Sequence, residues 1–231
     1  MEPHINFKGN ENIIFSKADG AIDPKDAISK MIDVIKKNGG SVLYPCKFER
    51  ITESNDSFSK VKTSMGILKS ENVIFCNGVD VDNSFNVNFL KKPRPGVIIK
   101  TKPQKNLINS VVYGPKIHAH QQSNGQIIIG EQITAPIKKN TKDHIKRINK
   151  HFKSMVKGGI DLNPSEVLIG WRPIPKDDLP IIGKFKNKSV YIAVMHSGIS
   201  LAAIVGNLVT QEIVDEVDSL LLKDFRPSRF F

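Results

Sequence analysis

The sequence predicts a mixed α/β (α+β) chain in which an antiparallel sheet is flanked by two stretches that combine helix and strand. Three observations carry this. A strongly periodic helix beginning near Pro24 is followed by short strands; from Pro93 strands succeed one another without helices; and near Val190 a strand passes through Gly198 straight into another helix.

The first helix has matching start and stop signals. Asp23 can cap it, Pro24 suits the first helical position, and Ala27, Ile28, Met31, Ile32 and Ile35 recur at helical spacing before Lys36, Lys37 and then Gly39-Gly40. Ser41 to Tyr44 is expected to be a short strand, and Phe48 to Ile51 continues in β-like composition. Lys60 to Leu68 alternates as a hairpin would, and Asn72 to Cys76 is a short apolar run closed by Asn77-Gly78. Cys46 and Cys76 are expected to be core residues on neighbouring strands.

Past Pro93, the runs Val97 to Ile99, Ser110 to Tyr113, Ile117 to His120 and Gln126 to Ile129 are divided by Pro103, Gly114-Pro115 and Ser123-Asn124-Gly125. That spacing predicts an antiparallel meander. A second helix is expected over about Thr141 to Val156, with Ile145, Ile148, Phe152 and Met155 on one side and lysines on the others. The last third holds a Pro-rich stretch from Trp171 to Gly183, a strand over Val190 to Val194, and a helix from Gly198 so apolar that burial on all sides is expected.

Composition narrows the function. The 231 residues are 39% hydrophobic, enough for a real core, and no apolar run reaches the roughly 18 residues that cross a bilayer. Residues 1–8 have neither the charged flank nor the apolar centre of a signal peptide. Two cysteines without a C-x-x-C spacing argue against a disulfide framework or structural zinc and for a reducing compartment; the expected location is cytoplasmic, with peripheral membrane contact left open. The net charge is +11, from 34 basic and 23 acidic residues. The lysines are scattered among asparagines and isoleucines, which reads as coding bias rather than as a designed stripe. A basic nucleic-acid-binding protein is a lesser alternative, resting only on the lysine face of the second helix.

Two local patterns suit chemistry. The strand, the His196-Ser197-Gly198 turn and the helix N-terminus bring unpaired amides and a positive dipole end to one spot, although an ordinary βα turn has the same parts. Arg172, on a segment stiffened by Pro173, Pro175 and Pro180, could grip a carboxylate with two parallel hydrogen bonds, or could form a surface ion pair with Asp177 or Asp178. His118 and His120 share a strand face but have no third partner at ligand spacing, so no metal is expected. No G-x-G-x-x-G, P-loop or G-x-S-x-G occurs.

Several segments together resemble the FAD-dependent D-amino-acid oxidase-like superfamily, which includes glycine oxidases, sarcosine oxidases and D-amino-acid dehydrogenases. They are Gly20 to Pro24 with its helix and Gly39 to Val42, then Asn72 to Gly78, Gly170 to Pro173 with Asp178 to Gly183, Val190 to Ala202, and Asp224 to Phe230. The resemblance implies an incomplete FAD-binding α/β domain plus an antiparallel-sheet substrate domain. Residues 1–78 would be a remnant of the FAD-binding domain, 79–164 the substrate domain, and 165–231 a return to the FAD-binding domain.

The resemblance also implies roles. FAD would be the cofactor and a small amino acid or amine the substrate, oxidised at its C–N bond by hydride transfer. Arg172 would hold the substrate carboxylate, with His196 as a further anchor. The backbone of Gly198, Ile199 and Ser200 would face the flavin pyrimidine ring, Gly78 would admit close approach of the chain, and Phe48 would meet the adenine end through its backbone. Members of the superfamily carry a G-x-G-x-x-G unit ahead of the first helix. Its absence here leads to the expectation of a truncated or split form, or of a subunit that needs a partner carrying that half.

Overall fold

The computed structural model describes residues 2–7, 13–18, 20–131 and 141–231. In chain order its elements are α1 (Pro24–Lys37), β1 (Phe48–Ser54), β2 (Ser59–Thr63), β3 (Gly66–Ser70), β4 (Val73–Phe75), α2 (Val81–Phe85), β5 (Arg94–Thr101), β6 (Val112–Tyr113), β7 (Ile117–Gln121), β8 (Ile127–Glu131), α3 (Thr141–Met155), β9 (Pro164–Arg172), β10 (Ile181–Phe185), β11 (Asn187–Val194) and α4 (Gly198–Val214); two 3-10 turns follow. They divide into two units, one of Met1–Asp23 with Arg94–Trp171 and the other of Pro24–Pro93 with Arg172–Phe231.

The first unit is built on a five-stranded sheet in the order β6-β7-β8-β5-β9. Apolar residues at every second position of β5, β7 and β8 turn to one face, where Val97, Ile99, Ile117, Ala119, Ile127 and Ile129 are all buried. Ile148 and Phe152 of α3 cover them. Each such side chain contributes roughly 1.5–3 kcal/mol by leaving water. At the edge of this core the buried Glu131 carboxylate takes hydrogen bonds from Arg147 Nε and, at 2.7 Å, Nη2, and Arg147 Nη2 also lies 2.8 Å from His144 Nδ1. A charge buried this way is tolerable because its partner comes with it.

In the second unit β11 is central: antiparallel to β10 on one side and parallel to β4 on the other. The unbroken apolar run of β11 is explained by burial of both its faces. Val190, Ile192 and Val194 join Phe75, Phe85 and Phe185, while Tyr191 packs with Val205, Val209 and Leu222. The phenylalanines meet edge to face, Phe75 on Phe85 at 4.6 Å and Phe85 on Phe185 at 4.8 Å between ring centres. β1, β2 and β3 form a separate antiparallel meander. It meets β11 through polar contacts, Ser59 Oγ lying 2.7 Å from Ser189 Oγ, while Phe48 and Ile51 of β1 pack against the apolar cluster that β11 joins.

Three expectations are corrected. Ser41 to Tyr44 is not a strand: Gly39 and Gly40 precede it, Pro45 has no amide to offer a ladder, and the segment stays irregular. Neither cysteine is in the core, for Cys46 is half-buried in the loop before β1 and Cys76 is exposed just past β4. The helix α4 is not buried on all sides. Val205, Val209 and Glu212 are its buried residues, whereas Ile199 and Ile204 are each 53% exposed, because only the side toward β11 finds protein to pack on among the described residues.

α1 has the amphipathic pattern the sequence predicts, yet none of its residues is buried. Ile28, Met31, Val34 and Ile35 all stand in solvent among the described residues.

Candidate functional site

The candidate site lies where β11 meets α4. The strand ends at Val194, Met195 to Ser197 turn, and α4 opens at Gly198, its first bond running from the Leu201 amide to the Ser197 carbonyl at 3.0 Å. The amides of Gly198, Ile199 and Ser200 have no carbonyl one turn back to bond. The Ser197 side chain does not cap them, and the first turn has no acidic residue. The positive end of the helix dipole is therefore not neutralised locally, which favours an electron-rich ligand edge at this point.

Beside these amides is an open, mostly apolar cavity of 450 Å3, lined by Gly78, Cys76, Ala193, Gly198, Ala202 and Gly206 among others. Small residues make the space. A Cβ added at Gly198 or at Gly206 would meet nothing within 4 Å. Gly78 adopts φ +57°, a left-handed conformation that suits glycine, and it lies against the ring of Pro173. Gly78, Gly198 and the residue next to Arg172 thus come together, although they are far apart in sequence.

Arg172 is the last residue of β9 and is half-buried. The two carboxylates near it in sequence are engaged elsewhere. Asp177 is bound by Arg229, through Nε at 2.5 Å and Nη2 at 3.0 Å, and Asp178 pairs with Lys91 at 2.5 Å. The expected alternative of an ion pair with Asp177 or Asp178 is not what forms, and among the described residues the Arg172 guanidinium makes no hydrogen bond or ion pair.

The other expected site residues divide. Ile199 and Ser200 are exposed at the helix start, and His196 is exposed with Nδ1 3.3 Å from Ser197 Oγ. Phe48 begins β1, and its ring packs edge to face on Phe75 at 5.1 Å, apart from the cavity lining. His118 stacks on Tyr113 at 5.5 Å with its ring over Gly130, and among the described residues no three His, Cys, Asp or Glu side chains converge as metal ligands would.

The sequence reading missed Ala202 and Gly206, one helical turn apart on α4, and Cys76. A small-residue spacing of four was the available signal, obscured by reading the helix as simply buried. Desolvation of its sulfur pushes the Cys76 thiol above its ordinary value, the opposite of the lowering that activates a thiolate. No helix among the described residues is long and apolar enough to span a membrane.

Residues 1–212 match the FAD dependent oxidoreductase family, and the chain belongs to it. It is 26% identical over 185 residues to a bifunctional protein ThiO/ThiG of Trichormus variabilis, an alignment covering 74% of this chain and 27% of the relative. In three dimensions it resembles an L-proline dehydrogenase from P. horikoshii (TM-score 0.78, 22% identity, 90% of this chain and 60% of that one) and a glycine oxidase from Geobacillus kaustophilus (TM-score 0.72, 18% identity, 84% and 54%). These likenesses show the mixed helix and sheet fold of that flavoenzyme family. The chain spans about a quarter to a third of the curated relatives' length and just over half of the solved structures'.

Proposed function

We propose that these residues form the substrate-binding and flavin-facing part of an FAD-dependent oxidoreductase that oxidises the C–N bond of an amino acid or amine. The observation that carries this reading is that Gly78 and the uncapped start of α4 line one apolar cavity, with Pro173, the neighbour of Arg172, packed against Gly78.

The cavity suits a flavin. A flat ring system with one polar edge needs an apolar floor without side chains in the way, and amide donors at the rim. Ala193, Ala202 and Gly206 supply the first, and Gly198, Ile199 and Ser200 the second. FAD, when bound, supplies the hydride acceptor. The residues of this chain orient and polarise. The amides of Gly198 to Ser200 oppose negative charge that develops at the rim, without reorganising to do so. Arg172 grips the substrate carboxylate in two parallel hydrogen bonds, which fixes the α-carbon and lowers the entropic part of the barrier. His196, exposed beside the same turn, is a second anchor for substrate. Phe48 meets the adenine end through its backbone.

The nucleotide-binding half lies outside these 231 residues, on the same polypeptide or on a partner. The apolar face of α1, with Ile28, Met31, Val34 and Ile35 in solvent, and the exposed Ile74 beside the cavity support this. A cytoplasmic location fits the exposed free Cys76.

The test is co-production of this chain with a nucleotide-binding half, followed by the visible spectrum and oxidation of glycine, sarcosine, proline and D-amino acids. A yellow protein that oxidises one of these supports the proposal. A complex that forms but stays colourless would overturn it.

A further inference from the structure

The geometry points to Glu212, held by Arg226, as the residue that fixes the roll of α4 and so aims the amides of Gly198 to Ser200. Apolar burial alone does not choose one side of α4 sharply, since Ile199, Ile204 and Val214 stand exposed on the side that also carries Asn207, Thr210 and Gln211. One buried charge does. Glu212 is 1% exposed, and its carboxylate is bonded from three separate pieces of chain. Tyr191 of β11 donates its hydroxyl, Ser219 donates its amide at 2.6 Å, and Arg226 of the tail donates Nη1 at 2.8 Å and Nη2 at 2.5 Å. No other roll of the helix brings this carboxylate to those donors. A misplaced roll strands a buried carboxylate and a guanidinium, which is far costlier than exchanging one apolar face for another.

Arg226 is itself seated by a glycine. Gly183 of β10 has φ +148°, and a Cβ there would come within 3.0 Å of Arg226 Cδ, 3.1 Å of Pro227 Cδ and 3.2 Å of Arg226 Nη1. The flat passage of Arg226 over β10 requires that missing side chain. Gly183, Arg226 and Glu212 thus act in series on a helix whose first turn is 14 residues away from the pin, about 21 Å along the axis. Glu212 is a positioning residue. Its bearing on catalysis rests on the role proposed above for the first turn, whereas the roll of the helix does not.

Hydrogen exchange of the full chain tests this without flavin, so the two readings fail separately. Glu212→Gln removes the charge at nearly constant shape, and Gly183→Ala displaces Arg226 without altering any charge. Both are expected to speed exchange of the Leu201 and Ala202 amides tenfold or more, with β10 and β11 unchanged in Glu212→Gln. Leu222→Ala, a neutral cut in the same core cluster, is the control at matched stability. If Leu222→Ala speeds Leu201 and Ala202 as much as Glu212→Gln, or if neither Glu212→Gln nor Gly183→Ala speeds them, the pinning role is overturned.

Discussion

Asp177 and Arg229 form a two-point ion pair, Nε to one carboxylate oxygen at 2.5 Å and Nη2 to the other at 3.0 Å, that ties the C-terminal tail to the Pro-rich corner after β9. Arg229 Nη2 also reaches the Leu179 carbonyl at 3.0 Å. The pair shapes the corner in which Arg172 sits while taking from Arg172 its nearest carboxylate in sequence.

Asp177→Asn should lower stability by on the order of 1 kcal/mol, read as a shift in the urea midpoint, because the pair is well formed but partly solvated. It should leave substrate KM within twofold. A large KM change would mean that Asp177 and Arg172 interact after all.

Arg172→Leu, in the FAD-loaded complete enzyme, should raise KM for an amino-acid substrate at least tenfold, corresponding to the roughly 1.5–3 kcal/mol of a charge-assisted hydrogen bond, with FAD affinity unchanged. Titrations of both ligands check this. Equal loss of both would remove Arg172 from substrate binding.

Acid should weaken the second unit through two carboxylates. Burial alone would raise the Glu212 pKa, but hydrogen bonds from Arg226, Tyr191 and the Ser219 amide outweigh it and hold the group below its ordinary value. The Asp177 carboxyl is held low chiefly by its hydrogen bond from Arg229, against a smaller effect of burial. A depressed folded-state pKa gives stability that is fully present above the unfolded value, about 4 for such groups, and that is lost as pH falls through the folded value. Urea midpoints from pH 6 downward should stay level to about pH 5 and then fall. In Glu212→Gln the fall should be shallower.

Val34→Ala and Met31→Ala on α1 should each change the stability of this chain by less than about 0.5 kcal/mol, since both side chains are more than half exposed here. Met31→Lys should abolish association with a nucleotide-binding half in pull-down. Wild-type association by the lysine variant would show that this face is not the contact.

Much of the secondary structure was legible because local chemistry and burial agree. Pro24 with Gly39-Gly40 bounds α1, and the turn residues Gly114-Pro115 and Ser123-Asn124-Gly125 set off the strands that form at Ile117–Gln121 and Ile127–Glu131. Ser41 to Tyr44 misled because β-like composition says nothing about whether a neighbour offers a ladder. The cysteines misled because their average burial says nothing about the end of a particular strand.

The sequence by itself determined the helices α1, α3 and α4, the meander after Pro93, the family, and the start of α4 as a place of unpaired amides, since periodicity, capping chemistry and motif spacing are properties of consecutive residues; it did not reveal α2, β9 or β10. Only the tertiary structure decided that Asp177 and Asp178 engage Arg229 and Lys91 instead of Arg172, that Pro173 lies on Gly78, and that Glu212 meets Arg226 beneath Gly183. Those are pairings between segments far apart in the chain. Which of several equally charged partners meets which depends on how the strands and the tail pack, and the order of residues along the chain does not encode that directly.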